Sequence, residues 1–143
     1  MNKDIKFILY LVTIFLDFSI YFIWKIDGTY FTIGDIIFSS SVVSCHLPFY
    51  YALYFDNRKI LDVLHVSIFV CNGLGIFVSN IKLLIMVLVF ILGIQIQWIT
   101  VNKCILNTDE QNQQQNFGFG KITYIVSLLY SCYLSYKLGR IVK

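Results

Sequence analysis

The chain has 143 residues, of which 58% are hydrophobic and only 13% are charged, and its mean hydropathy is +0.75. Soluble domains carry about 25% charged residues, so this composition excludes an ordinary soluble domain and favours an integral membrane protein. The net charge of +3 is too small and too scattered for nucleic-acid binding, so we expect no nucleic-acid partner.

The first two predicted membrane spans are residues 7–24 and 36–55. Each comes close to the roughly 20 apolar residues that a helix needs to cross the hydrocarbon layer. The first follows a basic start, as a signal peptide would, but it is too long, contains Asp17 and lacks a small-residue cleavage site. We therefore expect it to remain on the protein as a span.

Residues 60–78 and 83–101 predict a helical hairpin of two further spans. The second of these, LLIMVLVFILGIQIQWITV, contains no charged residue, and a helix that is apolar all round lies in lipid or inside a bundle. Residues 102–121 form the one long polar connection, whose Gln/Asn tract is typical of a mobile linker. Residues 122–138 are the fifth predicted span.

Together these segments predict an all-α integral membrane bundle with four or five transmembrane spans. The lower number applies if the first or the third segment lies in the membrane interface. Basic residues divide almost evenly between the two sides of a five-span arrangement, and the orientation therefore stays open.

Asp17 is the costliest residue in the predicted spans, because a carboxylate at mid-span costs about 3 kcal/mol on insertion scales. Thr13 and Tyr21 flank it one turn away and can offer hydroxyl groups. The second span runs antiparallel to the first and places His46 at a similar depth. Asp17 and His46 are therefore candidates for a proton relay or an ion site, or for a polar pair that only locks two helices together.

Asp62 and His65 are three positions apart and share one helix face, and Asn72 continues that stripe deeper into the third span. We interpret the first two as an interfacial ion pair that reaches water. The spacing of the histidines and cysteines supports no metal site, so the sequence predicts neither a metal nor another cofactor.

Small residues recur at steps of four in the last span. The ladder consists of Ser127, Ser131, Ser135 and Gly139. Small residues at this spacing let two helices approach closely. The ladder predicts a packing face for another subunit or second copy, or alternatively for the protein's own spans.

Signatures of membrane enzymes are absent from the sequence. Two histidines are too few for the His boxes of a di-iron oxygenase, and there is no C-x-x-C, Asp-rich, G-x-S-x-G or phosphate-loop motif. We therefore expect a non-enzymatic structural or accessory subunit of a larger membrane assembly, in contact with lipids and other membrane subunits. The alternative is a small ion or proton channel or transporter that uses Asp17 and His46.

A run at the end of the fourth span, QWITVNKCIL, resembles a His-Trp-x(3)-Asn-x-Cys-x-Leu box of small polytopic membrane proteins of large DNA viruses. In this chain Gln replaces the His of the box. The resemblance implies a component of a virion or a host internal membrane. The Gln/Asn tract equally suits a protist protein, such as an accessory subunit of a mitochondrial inner-membrane complex. The box residues are Gln97, Trp98, Asn102, Lys103, Cys104, Ile105 and Leu106.

Overall fold

A computed structural model of the protein describes residues 3–101 and 117–142. Over these ranges the chain forms helices, 3-10 turns and short connections without a strand, which confirms the predicted all-α class. The contacts divide the chain into two compact units, Met1–Leu83 and Leu84–Lys143. Each unit is described by itself.

The first unit contains three long helices and the start of a fourth. The helices are α1 (Lys3–Asp27), α2 (Ile33–Tyr54), α3 (Arg58–Gly73) and α4 (Ile81–Val101), and 3-10 turns follow α1 (Gly28–Tyr30) and α3 (Leu74–Phe77). Predicted spans 7–24, 36–55 and 60–78 fall on α1, α2 and α3 with its 3-10 turn. Chain reversals between them are short, so successive helices are neighbours.

Within the described ranges, three helical segments are long and apolar enough to cross a membrane: Lys3–Tyr30, Ile33–Tyr54 and Lys59–Phe77. The third of these is α3 extended by its 3-10 turn. Within α4, the apolar stretch Ile81–Ile96 is shorter. Leu83–Val101, the segment that the sequence presents as its clearest span, is helical over its whole length.

The turn between α1 and α2 is built around Asp35, whose side chain is fully buried. Thr32 caps α2 by accepting a hydrogen bond from the Asp35 backbone, and one Asp35 oxygen accepts from the Thr32 backbone and hydroxyl. The other oxygen accepts from the backbone N–H groups of Ser79 and Asn80, at 2.8 and 2.9 Å. One carboxylate therefore holds the start of α2 against the connection that leads into α4.

The turn between α2 and α3 depends on a left-handed residue, Asp56, with φ of 53°. The backbone N–H of Asn57 bonds to the carbonyl of Ala52, as in a helix end that reverses direction through a left-handed residue. The Asn57 side chain then caps α3 by accepting from the Ile60 backbone. The turn is thus a helix stop and a helix start in immediate succession.

The core of the first unit lies mainly between α2 and α3, which make the most extensive contact of any helix pair in that unit. Gly34 permits a close approach in the same region, because a Cβ there would overlap the Phe77 carbonyl. The buried apolar residues of these two helices and the Val78 connection are Phe38, Phe49, Ala52, Leu53, Leu61, Leu64, Cys71 and Val78.

The second unit comprises α4 from Leu84 onward and α5 (Phe117–Val142). Helix α5 begins inside the segment predicted as a polar loop, and residues 102–116 of that loop lie outside the described part of the chain. Gln95 on α4 is buried and donates hydrogen bonds to Ser127 and Ser131 on α5. A side-chain amide thus ties the two helices together.

Candidate functional site

Helices α1 and α2 bring three polar side chains together: Asp17, His46 and Tyr50. The Nδ1 atom of His46 lies 2.6 Å from Oδ1 of Asp17, and the Tyr50 hydroxyl donates to Oδ2 at 2.7 Å. His46 and Tyr50 are one turn apart on α2, so both reach the same carboxylate. The structure thus brings Asp17 and His46 together, and Tyr50 is a third member that the sequence interpretation missed.

The surroundings of Asp17 are partly apolar and partly open. The Asp17 side chain is 27% exposed and that of His46 is 13% exposed. The Thr13 hydroxyl donates a hydrogen bond to the Leu9 carbonyl of its own helix, as serines and threonines in apolar helices do. The two carboxylate oxygens are therefore bonded by α2 rather than by the α1 hydroxyls that the sequence offered.

Tyr10 supports the site from the side. Its ring stacks on that of Tyr50 with centroids 6.0 Å apart and planes 8° from parallel, and its hydroxyl donates to the Tyr50 carbonyl. The position of Tyr50, and hence of its bond to Asp17, is fixed by packing as well as by hydrogen bonding. The i, i+4 spacing of His46 and Tyr50 was the sequence signal that could have identified this group.

An open groove of about 670 Å³ lies between α1 and α2 and reaches the Asp17 carboxylate. Aromatic rings dominate it, and Asp17 is its one acidic lining side chain. The lining residues are Tyr10, Ile14, Asp17, Phe18, Tyr50, Tyr51, Tyr54 and Phe55. We call this feature the aromatic groove.

Ion pairs lie at the two ends of α1. At one end Lys6 lies 3.2 Å from Asp56, and at the other Lys82 lies 2.9 Å from Asp27, which also accepts from Asn80. The hydrogen bond from Lys6 lowers the pKa of the Asp56 carboxyl below its ordinary value. The pair at Asp56 therefore contributes to stability above the ordinary carboxyl pKa, and the contribution is lost as the pH falls through the lowered value.

The predicted stripe on α3 is described only in part. The side chains of Asp62 and His65 lie outside the described part of the structure, so their predicted ion pair stays a prediction. The Asn72 amide donates to the Ile68 carbonyl one turn earlier in α3. That bond holds the amide against its own helix.

The small-residue ladder on α5 has two halves. Ser131 is buried and Ser127 is half-buried, and both accept from Gln95 of α4, at 3.2 and 2.8 Å. Ser135 and Gly139 are exposed, and a Cβ added at Gly139 would meet nothing within 4 Å. The first half packs against the protein's own helix, as one of the two sequence hypotheses expected, and the second half is open.

Cys45 on α2 and Cys71 on α3 are reduced, with their sulfur atoms 3.5 Å apart. Nothing in their sequence spacing indicated this pair. Among the residues that the structure describes, no group of three His, Cys, Asp or Glu side chains could hold a metal ion. Every buried side-chain nitrogen and oxygen in the described ranges has a hydrogen-bond partner.

Almost all of the viral-type box lies outside the described part of the structure, which does not include residues 102–106 or the side chains of Gln97 and Trp98. Comparison of the chain with protein-family models, with curated proteins and with solved structures gives no match. The site therefore has to be interpreted from its own chemistry.

Proposed function

We propose that the chain is a multi-pass integral membrane protein in which α1, α2 and α3 cross the bilayer. Apart from Asp17, the acidic and basic residues of α1 lie near its two ends, at Lys3, Asp4, Lys6, Lys25 and Asp27. At 1.5 Å per residue, the helix between Lys6 and Lys25 is about 29 Å long, which matches a hydrocarbon layer of roughly 30 Å. Asp17 then lies close to the middle of the membrane.

Within that membrane, we propose that the protein is a non-enzymatic structural or accessory subunit of a larger assembly. The observation that carries this is the exposure of α1. Only 11% of its most apolar window is buried, compared with 28% for α2 and 25% for Lys59–Phe77. A helix that has a mid-span carboxylate and is so little buried by the rest of its own chain is suited to contact other membrane subunits.

The open half of the α5 ladder supports a second contact with a partner. Ser135 and Gly139 form a small-residue step on an exposed surface, where another helix could approach closely. Because Ser127 and Ser131 are already used within the chain, a partner contact on α5 is limited to this open half.

The test is extraction of the tagged chain from its native source in a mild detergent, followed by a native gel and mass spectrometry of the band. We expect migration in an assembly with other membrane polypeptides, and a smaller assembly for the Ser135→Leu variant. A Tyr136→Leu variant, on the neighbouring exposed position, should leave the assembly intact. A chain that runs alone, or only with copies of itself, contradicts the proposal.

The identity of the membrane belongs to the same experiment. The resemblance of the QWITVNKCIL run supports a virion or host internal membrane, and the Gln/Asn tract supports the mitochondrial inner membrane. Virion polypeptides in the band would identify the first membrane, and respiratory-complex polypeptides would identify the second.

A small proton or ion transporter is the second candidate, favoured by the hydrogen-bonded chain of Asp17, His46 and Tyr50. A carboxylate, an imidazole and a phenol in contact can hold or pass a proton. Asp17→Asn in liposomes should then abolish proton flux while leaving insertion unchanged. Equal flux through the wild-type chain and the Asp17→Asn variant, or none through either, contradicts the transporter.

A further inference from the structure

We propose that the aromatic groove between α1 and α2 binds a lipophilic organic cation, such as a hydrophobic quaternary ammonium or phosphonium compound. The charge, the rings and the size of the groove all fit such a ligand. The groove is formed by the chain itself, so this proposal does not rest on the accessory-subunit proposal.

The charge is supplied by Asp17, the one acidic side chain among the groove-lining residues. Its carboxylate accepts one bond from His46 and one from Tyr50, and a carboxylate has about four lone-pair sites. His46 is not among the groove-lining residues, so within the lining the carboxylate is the acidic group beside rings of low polarity. A positive charge entering the groove is therefore attracted to a fixed partner.

The rings supply the second component of cation recognition. A cation is attracted to the face of an aromatic ring, and aromatic cages are the usual recognition device for quaternary ammonium groups. Tyr10 and Tyr50 present a nearly parallel stack, while Tyr51 and Tyr54 each lie against Phe55 with centroids 4.6 and 4.9 Å apart. A carboxylate framed by such rings selects a cation that also has apolar surface.

The size favours a small molecule over a helix from another protein. The volume of about 670 Å³ lies within the range of roughly 300–1,000 Å³ usual for ligand pockets. On α1 the lining runs from Tyr10 to Phe18, which is only about 12 Å of helix. Apolar walls of this kind exclude small hydrated ions, because their water is too costly to remove.

The experiment measures equilibrium binding of radiolabelled tetraphenylphosphonium to the full chain in phosphatidylcholine nanodiscs at pH 8. We expect saturable binding to the wild type and an affinity loss of about 10-fold or more in Asp17→Asn. Asp4→Asn makes the same change at an exposed position of α1 outside the groove and should bind like the wild type.

Two further measurements keep the test independent of how well the Asp17→Asn variant folds. Tyr51→Leu removes an exposed groove ring and should weaken binding about 3-fold or more, while Tyr136→Leu on α5 should not. Benzyltrimethylammonium should displace the probe from the wild type better than its uncharged isostere neopentylbenzene. Equal binding by the wild type and the Asp17→Asn variant, equal displacement by both compounds, or a copurifying helix that blocks all saturable binding overturns the proposal.

Discussion

At the scale of single residues, Asp35 and Asp17 differ in how completely their carboxylate oxygens are hydrogen-bonded. Asp35 is fully buried and accepts four hydrogen bonds from Thr32, Ser79 and Asn80. Asp17 accepts two and remains partly exposed in a groove. The first is therefore saturated as a structural anchor, while the second keeps acceptor capacity for another group.

Asp35→Asn should destabilise the protein by about 2–4 kcal/mol. An amide offers one oxygen, so one of the two pairs of N–H or O–H donors now faces an NH₂ group. Unfolding in detergent, followed by circular dichroism, measures the change. Asp4→Asn is the control at an exposed position and should cost far less, and an equal effect of the two variants would contradict the anchor role of Asp35.

The sequence could predict a site residue where the depth of the residue in the membrane was enough to identify its neighbour on the next helix. Asp17 and His46 met that condition, because an antiparallel pair of spans with a short turn fixes relative depth. Tyr50 and Asp35 were missed because selecting them requires side-chain direction: Tyr50 is one of three tyrosines near the end of α2, and Asp35 lies between the first two predicted spans. The Thr32–Asp35 spacing was a helix-cap signal for the latter.

At the scale of elements, close packing around α2 holds the first unit together. Gly34 brings the start of α2 against the Phe77 carbonyl, and Cys45 brings its middle against Cys71 of α3. Helix existence followed from apolar length, and α1, α2 and α3 lie where the sequence placed them. The start of α5 could not be predicted from the sequence, because residues 117–121 carry too few apolar side chains to indicate a helix by hydropathy.

Gly34→Ala should cost about 1–3 kcal/mol, because the new methyl group forces α2 away from the backbone at Phe77. Gly73→Ala is the matched control, since a Cβ there meets nothing within 4 Å, and alanine favours a helix. Thermal unfolding of both variants measures the difference. A Gly34→Ala protein as stable as Gly73→Ala would show that the close approach is absent.

The contact between α2 and α3 predicts an internal disulfide under oxidation. In a Cys104→Ser, Cys132→Ser background, copper phenanthroline and oxygen should remove two protons and two electrons from Cys45 and Cys71 and join them, because their sulfur atoms are 3.5 Å apart. Both thiols should then resist maleimide labelling until reduced. Cys45→Ser should leave Cys71 free, and persistent labelling of both thiols, or dimers between chains, would contradict the packing of α2 on α3.

At the scale of the whole molecule, the described chain combines apolar helices, ion pairs at the ends of α1 and a carboxylate between them. These features support a membrane-embedded protein in which α1 is less covered than α2 or α3. Composition was sufficient to predict the helical class, since so little polar surface leaves few other solutions. Partners could not be predicted, because exposed apolar surface in a membrane protein suits lipid and protein equally well.

The measurement that tests the central claim most directly is photocrosslinking from α1 in the native membrane. Phe15 is 71% exposed and lies on the face opposite Thr13 and Ile20, which are buried. With benzoylphenylalanine in place of Phe15, we predict a discrete adduct with a second membrane polypeptide, while the same probe in place of Ile20 should react only within the chain. Lipid adducts alone from position 15 would contradict the accessory-subunit account.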